Sequence, residues 1–153
     1  MKLLIPNSEP IELTTVILDL NGTLTIRGIL VNGVLEKIAQ LKQKGLNVVL
    51  FSGDTRGTGQ KIADDLGVQL VPTSTGEDKK QEALKLNPQT CVAVGNGLID
   101  AQLFSVVKLS IAVLQAEGVH TKALTEADIL VPSILDALDL LLDEASLVAT
   151  LRP

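Results

Sequence analysis

Tryptophan and tyrosine are absent from this chain, and only two phenylalanines occur in its 153 residues. The core must therefore be built from Ile, Leu, Val and Ala. Cysteine is nearly absent as well. Cys91 stands alone, so no disulfide framework forms within the chain, which suits a reducing interior. It lies in the apolar stretch TCVAVG, where an unpaired cysteine reads as a buried strand residue. No apolar run approaches the ~18 residues of a membrane span, and no signal-peptide pattern opens the sequence. The expectation is a cytoplasmic protein with no membrane partner. An excess of basic charge is lacking too. The net charge is −5 and the pI is near 4.8, which argues against nucleic acid or an anionic membrane as the partner. Phosphorylated ligands stay in play, because a metal ion and a few local donors offset that charge. The single histidine, His120, sits in the loop-like EGVHTK and reads as a surface residue. The stretch GDTRGTGQK has glycines but matches neither the P-loop nor the dinucleotide-binding spacing.

What is present is a soluble, globular composition, with 46% hydrophobic and 20% charged residues. Residues 1–153 are long enough for one domain with a real core. Short runs rich in Val and Ile alternate with amphipathic stretches. Strands are expected at 14–20, 46–51, 68–71, 90–94, 109–113 and 129–131. Helices are expected at 33–43, 58–66, 77–86, 98–106 and 133–142. Leu35, Ile38, Ala39 and Leu41 would form the apolar side of the first helix, and Gly45 and Gly67 stand where helices end. The runs show little alternation, as strands buried on both faces do. Alternating strand and helix implies a doubly wound, Rossmann-like parallel sheet flanked by helices. Residues 2–13 read as a hairpin turning at PNSEP, residues 14–143 as the core, and residues 144–153 as a tail without clear period. TIRGILVNG reads as a small flap.

Four strand ends carry polar groups, and a parallel sheet gathers such ends at one edge. They are Asp19-Leu20-Asn21-Gly22-Thr23, Ser52-Gly53-Asp54-Thr55, Glu77-Asp78-Lys79-Lys80 and Gly95-Asn96-Gly97-Leu98-Ile99-Asp100. The set supplies a nucleophilic carboxylate, a hydroxyl beside exposed backbone N–H groups, a lysine, and an amide–carboxylate pair. That inventory suits phosphoryl transfer to aspartate, with Asp19 attacking phosphorus to form a mixed anhydride. Ser52, Gly53 and Lys79 would bind the phosphoryl oxygens. Mg2+ would be held by Asp19, the carbonyl of Asn21, and Asn96 or Asp100. Asp54 reads as a cap rather than a ligand.

These motifs resemble those of the haloacid dehalogenase superfamily, and within it the phosphorylation domain of P-type ATPases. DLNGTL is similar to their D-K-T-G-T-L, and GEDKKQEALKL to their P-x-D-K segment. VVLFSGDTRGTGQKIADDLGV is similar to their T-G-D segment, and VAVGNGLIDAQLFSVVKLSIAV to their V-G-D-G-x-N-D stretch. Order and spacing agree from Val16 to Val113, roughly two-thirds of the chain. Only 33 positions separate Asp19 from Ser52, too few for the nucleotide-binding domain that the pumps insert there, and a cap domain between Ser52 and Lys79 finds no room either. The resemblance thus implies a capless, stand-alone relative of the pumps. Its substrate would be a phosphorylated small molecule or a phosphoprotein, and an open site with an apolar tail fits a homo-oligomer.

Two positions depart from the superfamily pattern. Its phosphatases carry an aspartic acid where this chain has Asn21, and that acid protonates the leaving group. General acid–base help is worth about 10²–10⁴-fold in rate, so its loss implies slow turnover, a persistent aspartyl phosphate and a preference for good leaving groups. Asn96 stands where the resemblance implies an aspartate metal ligand; its amide oxygen can coordinate Mg2+ with one less charge. Ile99 replaces the usual Asn of that motif. Two rival readings follow: a capless sugar-phosphate phosphatase, which Asn21 contradicts, and a binding or regulatory module that has lost catalysis. A receiver domain needs a phosphorylated aspartate at the third strand, where Val71-Pro72 offers none.

Overall fold

A computed structural model of the protein describes residues 1–53 and 57–153. The chain opens with a hairpin of β1 (Lys2–Leu3) and β2 (Ile11–Glu12), antiparallel, with Lys2 opposite Glu12. β3 (Thr15–Asp19) follows, then a second small hairpin of β4 (Thr25–Ile26) and β5 (Ile29–Leu30) where the flap is expected. From there helices and strands alternate: α1 (Val34–Gln43), β6 (Asn47–Ser52), α2 (Gly59–Leu66), β7 (Gln69–Pro72), α3 (Gly76–Leu84), β8 (Cys91–Gly95), α4 (Asp100–Phe104), β9 (Leu109–Val113), α5 (Thr121–Glu126), β10 (Ile129–Val131), α6 (Ile134–Leu142) and α7 (Glu144–Leu151). A short 3₁₀ turn, Pro88–Thr90, leads into β8.

Six of these strands form one parallel sheet in the order β10-β9-β8-β3-β6-β7. The chain starts in the middle and winds out in both directions, the doubly wound arrangement expected from the alternation. β3, β8 and β9 are buried at every position, which explains their unalternating Val/Ile character. The sheet nonetheless separates two packed layers. Val16, Leu18, Leu50, Val92 and Val94 face α1, α2, α6 and α7 through Ile38, Leu41, Ile62, Leu66, Leu138 and Leu147. Ile17, Val49, Phe51, Ala93 and Ala112 face the other side, against Ala83 of α3, Leu103 and Phe104 of α4 and Ala123 of α5. Both phenylalanines serve this smaller second layer.

Three expectations need correction. The buried side of α1 is Val34, Ile38 and Leu41, whereas Leu35 and Ala39 point to solvent. The periodicity starts one residue earlier than the leucine run indicates. The helix expected from Leu98 begins only at Asp100, because the backbone of residues 96–97 is wound around the Asp100 carboxylate instead. The tail is helix α7, whose single fully buried residue, Leu147, gives too weak a period to read. Helix α5 was not anticipated either. Among the described residues no helix is long and apolar enough to cross a membrane.

Candidate active site

Asp19 is the last residue of β3, the inner strand of the sheet, and is only 7% exposed. Lys79 reaches it from α3. The start of that helix is fixed by a reciprocal cap: the Thr75 hydroxyl accepts from Asp78 N, and the Asp78 carboxylate accepts from Thr75 N. Lys79 lies one residue further on, fully buried, and its Nζ donates to Asp19 Oδ1 and Asp100 Oδ1, at 2.6 Å each. Asp100 opens α4, and its Oδ2 accepts from the backbone N–H groups of Asn96 (3.0 Å) and Gly97 (2.8 Å). Gly95 makes room for this. A Cβ there would stand 2.5 Å from the Asp100 carboxyl group.

Two buried carboxylates around one ammonium perturb each other. Burial, reinforced by the charge of Asp100, pushes the Asp19 carboxyl from 3.8 up to about 6, against the pull of Lys79 and Thr23. Burial opposes the charge on Lys79, but Asp100 and Asp19 outweigh it and hold the ammonium above the ordinary lysine range. Lys79 is therefore a fixed cation at neutral pH.

The other side of Asp19 is neutral. The Thr23 hydroxyl lies 3.1 Å from Asp19 Oδ2 and 3.1 Å from Asn96 Oδ1. Its one proton serves one oxygen at a time. Asn96 Nδ2 donates to Gly118 O at 2.9 Å, and Asn96 O accepts from His120 N at 2.8 Å. Gly22 takes a φ of +79°, and a Cβ there would come 2.4 Å from Asn96 Nδ2, so both conformation and space demand glycine. Gln115, just beyond β9, donates from Nε2 to Gly22 O (2.9 Å) and Thr23 O (2.6 Å) and accepts from Ile134 N at 3.1 Å.

Ser52 ends β6 beside Asp19 and is buried. Ser52, Gly53, Asn21, Asn96 and Asp100 line one open cleft with Asp19, about 220 Å3 in volume. The structure thus brings together the residues of all four motifs, although Lys79 contributes from beneath the cleft floor through its two carboxylates. Asp54 lies outside the described residues. His120 is exposed and caps α5, its Nδ1 accepting from Lys122 N. Cys91 is buried in β8, and burial pushes its thiol up to about 11. The cleft also contains Ser74 and Ile99, the latter a half-exposed apolar wall. Sequence reasoning missed Thr23, Asp78 and Gln115. A Thr four residues after the strand-end Asp, and a T-x-x-D pattern before a helix, were the available signals for the first two. Gln115 carried none.

The donors around the cleft are oxygens: the Asp19 and Asp100 carboxylates and the Asn96 amide. Such a set suits Mg2+ rather than a transition metal. The Thr23 hydroxyl has one proton for Asp19 Oδ2 and Asn96 Oδ1, so it holds only one of these two oxygens at a time. Among the described residues no group of three His, Cys, Asp or Glu could hold a metal.

A family model of haloacid dehalogenase-like hydrolases matches residues 26–106. The chain belongs to this family. The chain is similar to a copper-transporting ATPase of Helicobacter pylori, 37% identical over 103 residues, which cover 65% of this chain and 14% of the pump. The chain therefore spans only a small part of the pump's length. A soluble P-type ATPase-like phosphatase of Methanocaldococcus jannaschii is 29% identical over 127 residues, 80% of this chain and 46% of that protein. The cobalt-bound deoxy-D-mannose-octulosonate 8-phosphate phosphatase of Haemophilus influenzae superposes with a TM-score of 0.72 at 16% identity, covering 93% of this chain and 94% of its own. At that identity the likeness establishes the fold alone.

Proposed function

We propose that the protein is a Mg2+-dependent phosphohydrolase working through an aspartyl phosphate on Asp19, with residues 1–153 as one catalytic domain. The observation that carries this reading is the buried Lys79, held 2.6 Å from both Asp19 and Asp100 at the floor of a cleft that opens above Asp19. A fixed cation beside a strand-end carboxylate lowers the cost of bringing a phosphoryl anion to it.

In the first step an Asp19 oxygen bonds to phosphorus, and the bond from phosphorus to the leaving-group oxygen breaks, its electron pair departing with the leaving group. The Ser52 hydroxyl and the Gly53 N–H donate to phosphoryl oxygens. In the second step water attacks phosphorus, inorganic phosphate leaves, and the Asp19 carboxylate returns. Asp19, Asn96 and the Asn21 carbonyl would hold Mg2+, with Asp100 orienting Lys79 and the 96–97 turn; the ion supplies positive charge for the phosphoryl oxygens. Asn21 cannot pass a proton to the leaving group or take one from water. Substrates with good leaving groups are therefore favoured, and the intermediate is long-lived. The open cleft suits a phosphorylated small molecule or a phosphoprotein side chain.

The test is incubation with Mg2+ and acetyl phosphate or p-nitrophenyl phosphate, beside Asp19→Asn, following phosphate release and intact mass together. A phosphate adduct or turnover that vanishes in the variant is the expected result. A folded wild type with neither, in excess Mg2+, would overturn the reading in favour of a binding module.

A further inference from the structure

We infer that the segment Gln115–His120 is a strap holding the Asp19 loop against the Asn96 turn, and that Gln115 is its positioning residue. The inference rests on the proposed role of Asp19 and extends it to a residue outside the four motifs. Every polar atom of the Gln115 amide is engaged. Its two N–H groups hold the carbonyls of Gly22 and Thr23, at 2.9 and 2.6 Å, and its oxygen takes the N–H of Ile134 at the start of α6. The same segment binds the site twice more: Gly118 O accepts from the Asn96 side chain, and His120 N donates to Asn96 O. Glu117 Oε2 accepts from Arg27 N in the flap at 3.2 Å. A tight turn, Gly118 N to Gln115 O at 2.7 Å, keeps these anchors in register.

The consequence is a short mechanical path to the reacting carboxylate. Gln115 fixes the main chain of Thr23, and the Thr23 hydroxyl stands 3.1 Å from both Asp19 Oδ2 and Asn96 Oδ1. Residues 20–24 form a turn closed by a single bridge from Asn21 to Thr25 rather than a ladder, so slack at Gly22 and Thr23 would pass directly to that hydroxyl. Gln115 touches no reacting atom. It acts through Thr23.

Two substitutions separate this role from a purely structural one. Gln115→Glu keeps an acceptor for Ile134 N but loses both donors to the loop, whereas Gln115→Met loses all three bonds. If Gln115 positions the loop, both variants lose kcat with p-nitrophenyl phosphate by about a hundredfold well below their Tm, since a small misplacement of a reacting group costs that much. KM stays within about twofold, because substrate binding is not what was removed. Both variants lose some Tm, Gln115→Glu at least as much as Gln115→Met, because its carboxylate faces the Gly22 and Thr23 carbonyls. Backbone amide hydrogen exchange over residues 20–27 gives a readout independent of turnover. Faster exchange there in Gln115→Glu, with the sheet unchanged, supports the strap even if the wild type proves inert, which would place that failure in the phosphatase reading. Unchanged exchange overturns the strap, as does a kcat that merely follows Tm across the two variants.

Discussion

The two flanks of Asp19 are built on opposite principles. On one, Lys79 joins Asp19 and Asp100 in a fully buried arrangement of formal charges, each contact 2.6 Å. On the other, Thr23, Asn96 and Gln115 hold the loop with neutral amides and one hydroxyl, at 2.6 to 3.1 Å. On the proposed reading, the charged flank is where an anionic phosphoryl group would meet a fixed cation. The neutral flank is where a cation would sit, and it offers oxygens with little charge behind them. If the proposed reading holds, the contrast means that the site spends its formal charges beside the anion and leaves the cation to geometry.

Breaking the charged flank has the largest expected effect. Lys79→Met leaves two carboxylates buried without their shared cation. Removing one partner of a buried ion pair costs about 3–5 kcal/mol, so urea unfolding in EDTA should show a loss of that order, and adduct formation on Asp19 should vanish. A loss below about 1 kcal/mol would mean that the buried charges relax into solvent at little cost.

The same flank sets a pH dependence of the metal-free protein. Asp19 is raised in the fold from 3.8 to about 6, chiefly by burial. The native state therefore holds this proton more tightly than the unfolded chain does. Between those two values the native state binds more protons, so the contribution of Asp19 to stability falls as pH rises through the window and is level above it. With 1.36 kcal/mol per unit, the loss is on the order of 3 kcal/mol. Stability in EDTA at pH 4 and pH 7, measured against Asp19→Asn, isolates this term from other carboxylates. The wild type should lose more on going to pH 7 than the variant does, and Mg2+ should restore stability at pH 7. Parallel curves would contradict it.

The charged flank was also the more legible in the sequence, and for a physical reason. Asp19, Lys79 and Asp100 are residue types whose burial demands partners, and each stands at a strand end or an early helix turn that a parallel sheet gathers at one edge. The strand runs themselves were readable because burial on both faces leaves Val and Ile uninterrupted. The neutral flank was hidden because its bonds run to backbone. Gln115 holds carbonyls more than 90 positions away, and a carbonyl has no residue identity to match. Asn96 read as a weakened metal ligand, yet its Nδ2 has a structural partner in Gly118 O that no spacing announces. Helix α7 escaped notice for a related reason: one buried leucine does not make a period.

That partner yields the smallest and most discriminating expectation. Asn96→Asp would set a carboxylate oxygen against the Gly118 carbonyl where an N–H now donates at 2.9 Å. The lost bond costs about 1 kcal/mol, and a third carboxylate joins Asp19 and Asp100 around the cleft. In EDTA the variant should therefore melt below the wild type. With Mg2+ the new charge becomes an asset, and the half-saturating Mg2+ concentration should fall by about tenfold, worth 1.4 kcal/mol. The two effects have opposite signs, so thermal melts across a Mg2+ titration should cross: wild type higher without the ion, Asn96→Asp higher with it. Curves that never cross would mean that one flank is not the neutral, geometry-held half of the site. If the variant is the more stable even in EDTA, the Gly118 bond contributes nothing. If the half-saturating Mg2+ concentration does not fall at all, the cation does not sit at Asn96.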